Sequence, residues 1–200
     1  NRFGLGGSAY TPHSGKSVFM ANLMRQLPIE YCMQFRACPD GEGQFSNNHN
    51  QEEARFVRQK KAFSPKLVDY YCEVISRQPD DFITLIDVGG KRSKENEQIF
   101  RQADSFLVIS SDSNEKQQWL DWGNNLGLNC IACIDSSLEG HDEIYEIEPY
   151  VQGKITGLER GSSLHKSKLL HTIVRSIVEK SNYQNRGPVI IPPVEGNGLV

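Results

Sequence analysis

The feature of the sequence that most limits the possible folds is the tripeptide at residues 15–17 (GKS), which separates two different segments. Residues 3–9 (FGLGGSA) are small and apolar, which is typical of a buried parallel strand. After the tripeptide, Phe19, Leu23 and Leu27 recur at helical spacing. The sequence therefore predicts a strand, a loop and a helix whose first N–H groups lack partners within the helix.

This arrangement matches the phosphate-binding pattern G-x-x-x-x-G-K-[ST], except that Tyr10 stands where the pattern has its first glycine. In such a loop, Lys16 would reach the outer phosphates and the hydroxyl of Ser17 would ligate Mg²⁺. The alternative is a Ser/Gly loop that caps a helix. In a phosphate-binding loop, Tyr10 at the entry would force a different turn, weaken binding or stack on a ligand. The predicted nucleotide-binding residues of this segment are Pro12, His13, Ser14, Gly15, Lys16, Ser17 and Val18.

A second apolar run, residues 82–87 (FITLID), ends in an aspartate that two glycines follow shortly afterwards. In phosphate-loop proteins such an aspartate holds the magnesium ion from the neighbouring strand, so Asp87 is predicted to be a metal and catalytic residue. The N–H of Gly90 would sense the terminal phosphate. A plain strand-to-turn junction is the alternative. Lys91 and Arg92 would either stabilise phosphate charge or be exposed loop charges.

An acidic, glycine-rich loop at residues 37–43 follows a predicted strand over residues 31–36. Ligands of open α/β sheets lie at the carboxyl ends of the strands. Asp40 and Glu42 are therefore candidates for contacting water bound to Mg²⁺ or for activating an attacking group, although Asp-Gly is equally typical of a plain turn. Arg160, after a later strand, is a further candidate phosphate contact.

Composition excludes several classes of protein. The chain has 200 residues and a net charge of −3, which argues against a duplex-DNA-binding protein. Neither a run of 18 apolar residues nor a signal peptide occurs, which predicts a cytoplasmic protein without a membrane partner. The chain begins at Asn1, as a piece of a longer protein would. The five cysteines predict no disulfide framework, and Cys130 and Cys133 fit a buried strand (CIACI) better than a zinc or redox site.

Alternation of apolar runs with helical patterns predicts an α/β fold: a three-layer sandwich with a mostly parallel sheet of five or six strands and helices on both faces. One nucleotide-binding domain would span residues 1–186, and residues 187–200 would form an extended tail rich in proline and glycine. The expected strands are residues 3–9, 31–36, 82–87, 105–110, 129–135 and 151–158. The first expected helix begins near Gly15. The other expected helices cover residues 51–61, 65–77, 97–103, 116–126 and 165–180.

Four motifs in this order, residues 12–19 (PHSGKSVF), 36–43 (RACPDGEG), 87–90 (DVGG) and 158–161 (LERG), give the chain a resemblance to a known family. It is similar to the P-loop ATPase domain, commonly labelled AAA-type, that is associated with type III CRISPR systems. That domain is often fused behind a ring-nuclease domain that degrades cyclic tetra-adenylate. The resemblance covers about residues 3–180. The family has glycine and proline where Tyr10 and Thr11 stand here, and the ring-nuclease domain has no counterpart in this sequence.

The resemblance implies a P-loop NTPase that uses ATP and Mg²⁺ in cyclic-oligoadenylate signalling. Its expected partners are the nucleotide and a ring-nuclease domain or a second copy of the chain, with cyclic oligoadenylate as a further ligand. Catalysis would use Lys16, Asp87, and Asp40 or Glu42 to position and neutralise the phosphates. The alternatives are a small-molecule or nucleotide kinase, and a non-catalytic module that senses a nucleotide or acts as a scaffold.

Overall fold

The computed structural model describes residues 1–7, 15–37, 45–46, 65–159 and 161–181. Strands and helices alternate along most of these ranges. The strands are β1 (Arg2–Gly7), β2 (Cys32–Ala37), β3 (Phe45–Ser46), β4 (Ile83–Val88), β5 (Ser105–Ser110), β6 (Asn129–Ser137), β7 (Glu143–Glu146) and β8 (Val151–Thr156). The helices are α1 (Lys16–Gln26), α2 (Pro65–Ser76), α3 (Lys94–Phe100), α4 (Ser113–Asn125) and α5 (Lys168–Lys180), with a short 3₁₀ helix at Ile29–Tyr31.

The eight strands of the described ranges form one sheet in the order β3-β2-β4-β1-β5-β6-β8-β7. The six inner strands are parallel to one another, and β3 and β7 pair antiparallel at the two edges. The expected count of five or six strands is therefore wrong. The two additional strands are the edge strands: β3 has only two residues, and β7 (EIYE) is mostly exposed, so neither contains the apolar run that identifies a buried strand.

Helices cover both faces of the sheet, and a separate hydrophobic core lies under each layer. Helices α1 and α5 pack on one face, where Leu23 and Ile173 are buried with Leu5 of β1. Helices α2, α3 and α4 pack on the other face, where Tyr71 and Phe100 contribute to the second core. The prediction of an α/β fold with a mostly parallel sheet and helices on both faces is confirmed, and the arrangement is compatible with a three-layer sandwich.

Small residues in the central strand β1 make room for the aromatic side chains of the second core. A Cβ on Gly4 would lie 2.5 Å from the ring of Phe100, and a Cβ on Gly6 would lie 2.5 Å from the ring of Trp119. Trp122 stacks on Phe100 with ring centroids 5.0 Å apart and meets Trp119 edge-on at 5.1 Å. Both tryptophans therefore pack against the second core.

Capping side chains set the first residues of three helices, and the predicted starts miss them by three residues each. Ser93, Asp112 and Ser167 accept hydrogen bonds from the N–H three residues later, at 3.2, 2.8 and 3.2 Å. The predicted starts at 97 and 116 are too late, and the predicted start at 165 is too early. Each cap satisfies an N–H at the start of the helix that would otherwise lack a partner, and so fixes where the helix begins.

Two of the expected segments, the helix over residues 51–61 and the tail over residues 187–200, lie outside the described residues. The helix predicted over residues 65–77 is confirmed to within one residue as α2. None of the helices in the described ranges has the length and apolar character that crossing a bilayer requires.

Candidate anion-binding site

Helix α1 begins directly beneath the carboxyl end of the central strand and starts at a glycine that no other residue could replace without strain. Gly15 has φ 69°, in the left-handed region. A Cβ at this position would lie 2.5 Å from Cβ of Leu158, in the segment that follows β8. The first turn of α1 contains no acidic residue. The partial positive charge of this helix end is therefore not offset from within its own first turn.

The segment that follows β8 is tied to α1 through one buried side chain. Asn22 accepts a hydrogen bond from the N–H of Leu164 at 3.0 Å, and its amide nitrogen donates to the carbonyl of Ser162 at 3.2 Å. Together with the contact between Leu158 and Gly15, these bonds hold the segment against the first half of the helix. This role of Asn22 was not predicted from the sequence. A polar residue on the apolar face of a helix does, however, indicate a buried side chain that needs hydrogen-bond partners from another segment.

Lys16, the first residue of α1, extends over the sheet to the neighbouring strand. Its Nζ lies 2.8 Å from Oδ1 of Asp87 and donates to the carbonyl of Val88 at 2.5 Å. A Cβ on Gly7 would lie 3.4 Å from Cδ of Lys16 and 2.3 Å from the carbonyl oxygen of Ile109. The close approach of the β5 carbonyl therefore requires glycine at the end of β1, whereas the lysine stem would only be in ordinary van der Waals contact with a Cβ there.

Asp87 lies on β4, directly beside β1, and only 2% of its surface is exposed. Besides Lys16, it faces Arg36 of β2, whose Nε lies 3.8 Å from Oδ2. That distance is an ion pair but too long for a hydrogen bond. Among the described residues, neither Oδ1 of Asp87 nor Nε of Arg36 completes a hydrogen bond, so the contacts around this carboxylate are mainly ionic. Within the described ranges, two cations around one carboxylate give the cluster an excess of positive charge.

The remaining predicted residues of this site that the structure describes lie at the start of α1 and in the bend after β4. Ser17 is exposed, and Val18 is half-buried against the core under α1. Gly90 is half-buried in the bend two residues after β4, and the N–H of its neighbour Gly89 donates to the carbonyl of Ala37 at 3.2 Å. The donor set of Asp87 and Ser17 consists of oxygens, which suits Mg²⁺.

Several predicted residues lie outside the described part of the chain, so their positions relative to Lys16 and Asp87 are not part of this geometry. They are Tyr10, Pro12, His13, Ser14, Asp40, Glu42 and Arg160.

The two basic residues after β4 differ in their surroundings. Lys91 is exposed, whereas Arg92 is turned toward α4. Arg92 donates to Glu115 at 2.9 Å and to Gln118 at 2.5 Å, and its guanidinium lies 5.4 Å from the ring centroid of Trp119. Arg92 is therefore not an exposed loop charge, and its role as a phosphate contact stays a prediction. The side chain of Arg92 joins the loop after β4 to α4, which packs on the second core.

A second lysine–aspartate pair lies at the carboxyl ends of β5 and β6. Nζ of Lys116 in α4 donates to Oδ1 of Asp135 at 2.6 Å. Ser110, at the end of β5, accepts a hydrogen bond from the N–H of Asp112. The hydroxyl of Ser137 at the end of β6 donates to the carbonyl of Glu139. This edge is therefore tied together by local hydrogen bonds.

The thiols of the apolar strand β6 do not form a reactive site. Burial raises the pKa of the Cys130 thiol far above its usual range. Burial also raises the pKa of Cys133 to about 11, although the ammonium of Lys116 lowers it somewhat. A thiol that stays protonated is a poor nucleophile and a poor metal ligand. No group of three His, Cys, Asp or Glu side chains within the described ranges is close enough to hold a metal ion. The interpretation of the CIACI segment as a buried strand is confirmed.

Arg36 is the residue of the cluster that the sequence analysis did not assign to the site. It shares one face of β2 with Cys32, and its partner in the neighbouring strand is Asp87. The signal in the sequence was a charged residue at the carboxyl end of a predicted buried strand, on the same face as Cys32 and Gln34.

Comparison of the chain with models of protein families and with curated proteins finds no match.

Proposed function

We propose that the chain binds a magnesium nucleoside triphosphate, with ATP as the expected nucleotide, at the start of α1 and hydrolyses it. The contact of 2.8 Å between Lys16 and Asp87, beside a helix start without an acidic first turn, is the observation that carries the proposal. It brings a flexible cation and a buried carboxylate together at the carboxyl ends of adjacent parallel strands. Ligands of open α/β sheets bind at such ends.

The topology supports this location. The chain leaves β1 through α1 toward β2 on one side, whereas β5 lies on the other side of β1 and leads away to β6. A reversal of this kind opens a crevice above the central strand, where dinucleotides and mononucleotides bind in many open sheets. The start of α1 opens at this crevice and offers backbone N–H groups to a phosphate.

In the proposed state, Lys16 turns from Asp87 toward the outer phosphates, and the carboxylate becomes available to the water shell of a metal ion. A bound Mg²⁺ supplies charge neutralisation of the phosphates. The hydroxyl of Ser17 would ligate the ion, and the carboxylate of Asp87 would hold its water shell. Asp40 or Glu42 would orient the attacking water, and Pro12, His13, Ser14, Gly15, Val18, Gly90 and Arg160 complete the proposed nucleotide site.

Phosphate release from ATP with Mg²⁺ tests the proposal, with Lys16→Met as the variant. Removing one preorganised cation from a phosphoryl-transfer site is expected to lower the rate by about a hundredfold or more. Lys116→Met is the matched control, because Lys116 also pairs with a strand-end aspartate but lies outside the proposed site. Chelation of Mg²⁺ should abolish turnover in the unmodified chain. No binding of ATP or GTP by calorimetry would refute the proposal.

A non-catalytic module is the alternative that a specific observation favours, since Tyr10 replaces the first glycine of the loop. In that case calorimetry would detect nucleotide binding that Lys16→Met abolishes, but no phosphate would be released. A kinase would transfer the phosphate to an acceptor, and adding the acceptor would raise the rate of ADP formation without free phosphate.

The biological setting rests on the sequence resemblance alone. It places the proposed ATPase in type III CRISPR signalling by cyclic oligoadenylates, with a ring-nuclease domain as partner or with self-association of the chain. Titration of the chain with cyclic tetra-adenylate, in the presence and absence of ATP, tests this setting. A lack of binding under both conditions, together with a lack of effect on ATP turnover, would contradict a direct role for the second messenger here.

A further inference from the structure

Arg36 has the surroundings of a ligand-binding residue. Its side chain is mostly buried, and its Nε finds no hydrogen-bond acceptor among the described residues. Arg2 and Arg92, whose side chains are buried to a similar degree, use their donors. Nε of Arg2 donates to the carbonyl of Ile75 at 3.1 Å, and Arg92 is bonded to Glu115 and Gln118. A buried donor without an acceptor is costly unless a ligand supplies one.

The charges around Arg36 point to a negatively charged ligand. Asp87 is the only carboxylate that the described residues bring within ion-pair distance of Arg36, and it is shared with Lys16 at 2.8 Å. One carboxylate cannot balance two largely buried cations. Leaving a buried charge uncompensated is unfavourable, so an anion that approaches this cluster is stabilised.

The order of the three charges across the sheet indicates which part of a ligand Arg36 meets. Lys16 passes over the end of β1, Asp87 lies on β4, and Arg36 lies on β2 at the register position opposite Asp87. Phosphates bound at the start of α1 are nearest to Lys16. Because Arg36 lies beyond Asp87 on the side away from β1, only the end of a phosphate chain that extends across β4 would come near it.

We propose that Arg36 is a second phosphate-binding cation, which contacts the outermost phosphate of a bound triphosphate and so distinguishes triphosphate from diphosphate. The inference rests on the proposed nucleotide site. Without nucleotide, Asp87 holds both cations in position. When a triphosphate binds, the two cations exchange this shared carboxylate for phosphate oxygens, to which the guanidinium group donates from several N–H groups at once.

Calorimetric titration in Mg²⁺ with a non-hydrolysable ATP analogue and with ADP tests the inference. Arg36→Gln should weaken binding of the analogue about ten- to a hundredfold, as expected for the loss of charged hydrogen bonds. ADP binding should change by less than about threefold. Arg25→Gln, at an exposed position in the last turn of α1, is the control and should leave both affinities unchanged.

The outcomes separate this inference from the proposed function. If the unmodified chain binds the analogue and Lys16→Met abolishes binding, but Arg36→Gln binds both ligands as the unmodified chain does, the role of Arg36 is refuted while the nucleotide site stands. An equal loss of affinity for the two ligands would also refute it. If the unmodified chain binds neither ligand, both proposals fail.

A second variant covers the case in which Arg36→Gln does not fold, which thermal unfolding without nucleotide would reveal. Arg36→Lys keeps the charge next to Asp87 but loses the planar fork of donors. It should still weaken binding of the analogue more than binding of ADP. Equal affinities of Arg36→Lys and the unmodified chain for both ligands would overturn the proposal.

Discussion

Two lysine–aspartate pairs at the same edge of the sheet have similar chemistry and different surroundings. In the pair Lys16–Asp87 the charged atoms are 2.8 Å apart, and the side chains are 12% and 3% exposed. In the pair Lys116–Asp135 the distance is 2.6 Å, but the side chains are 22% and 30% exposed. Distance therefore does not distinguish the two pairs, whereas burial does.

The neighbouring charges differ as well. Lys116 and Asp135 form a pair of one cation and one anion, in contact with water. Asp87 is shared between Lys16 and Arg36, so the residues that the structure describes here have more positive than negative charge. Because Coulomb interactions strengthen as the local dielectric constant falls, the excess charge matters most in the more buried cluster. The region beside β1 therefore favours an additional anion, whereas in the region beside β6 the charges of Lys116 and Asp135 already balance each other.

Replacing each aspartate by alanine should produce the largest difference between the two regions. Asp87→Ala leaves two largely buried cations without their counter-charge, and we expect a loss of about 3 kcal/mol in the free energy of unfolding. Asp135→Ala breaks a half-exposed pair and should cost about 1 kcal/mol or less. Urea unfolding of both variants measures the difference. Equal losses would contradict the view that burial separates the two pairs.

Inorganic phosphate provides an additional control on the same two variants. An anion that binds between Lys16 and Arg36 would replace the missing carboxylate and stabilise the folded state of Asp87→Ala by mass action. Phosphate should therefore raise the urea midpoint of Asp87→Ala more than that of Asp135→Ala. An identical rise in both would indicate a general salt effect.

Two left-handed glycines sharpen the comparison at the level of the backbone. Gly15 precedes α1 with φ 69°, and Gly127 follows α4 with φ 76°. A Cβ on Gly127 would meet no atom within 4 Å, whereas a Cβ on Gly15 would lie 2.5 Å from Leu158. We expect Gly127→Ala to cost about 1 kcal/mol through its backbone conformation alone, and Gly15→Ala to cost about 2–3 kcal/mol because overpacking is added.

Thermal or urea unfolding of Gly15→Ala and Gly127→Ala tests this expectation. A smaller cost at position 15 than at position 127 would show that the segment after β8 yields to the added methyl group. In that case the segment would not fix the start of α1.

The strands β4 and β5 could be predicted from the sequence because each is a short apolar run that is buried on both faces throughout. The edge strands could not be predicted. β7 is held in the sheet by its hydrogen bonds to β8, and its sequence has no hydrophobic pattern that would indicate a strand. The starts of α3 and α4 were misplaced because Ser93 and Asp112 cap them from within polar segments. Capping is decided by local hydrogen bonds, which periodicity does not register.

The proximity of Lys16 and Asp87 could also be predicted, because a helix that starts after β1 and a strand that ends beside β1 must meet at one edge. The participation of Arg36 could not. It depends on the register that places Arg36 opposite Asp87 when β2 pairs with β4, and register follows from how the strands align in space. A charge at the end of a predicted buried strand was visible in the sequence, but its counter-charge was not.

The buried thiols provide the prediction with the smallest effect, which asks whether the two regions also differ in packing. Burial raises the pKa of Cys32, under α1, to about 12 and that of Cys133, beside Asp135, to about 11, from the ordinary thiol value of 9.0. Between pH 9 and 11 the unfolded chain therefore loses these protons while the folded chain keeps them, so the free energy of unfolding falls as the pH rises. At pH 10 each thiol should contribute about 1 kcal/mol to this fall. In Cys32→Ala and in Cys133→Ala the difference in stability between pH 8 and pH 10, measured by urea unfolding, should shrink by that amount.

Similar reductions would mean that the two regions are equally well packed and differ in charge, whereas a reduction confined to one variant would trace the difference to packing instead.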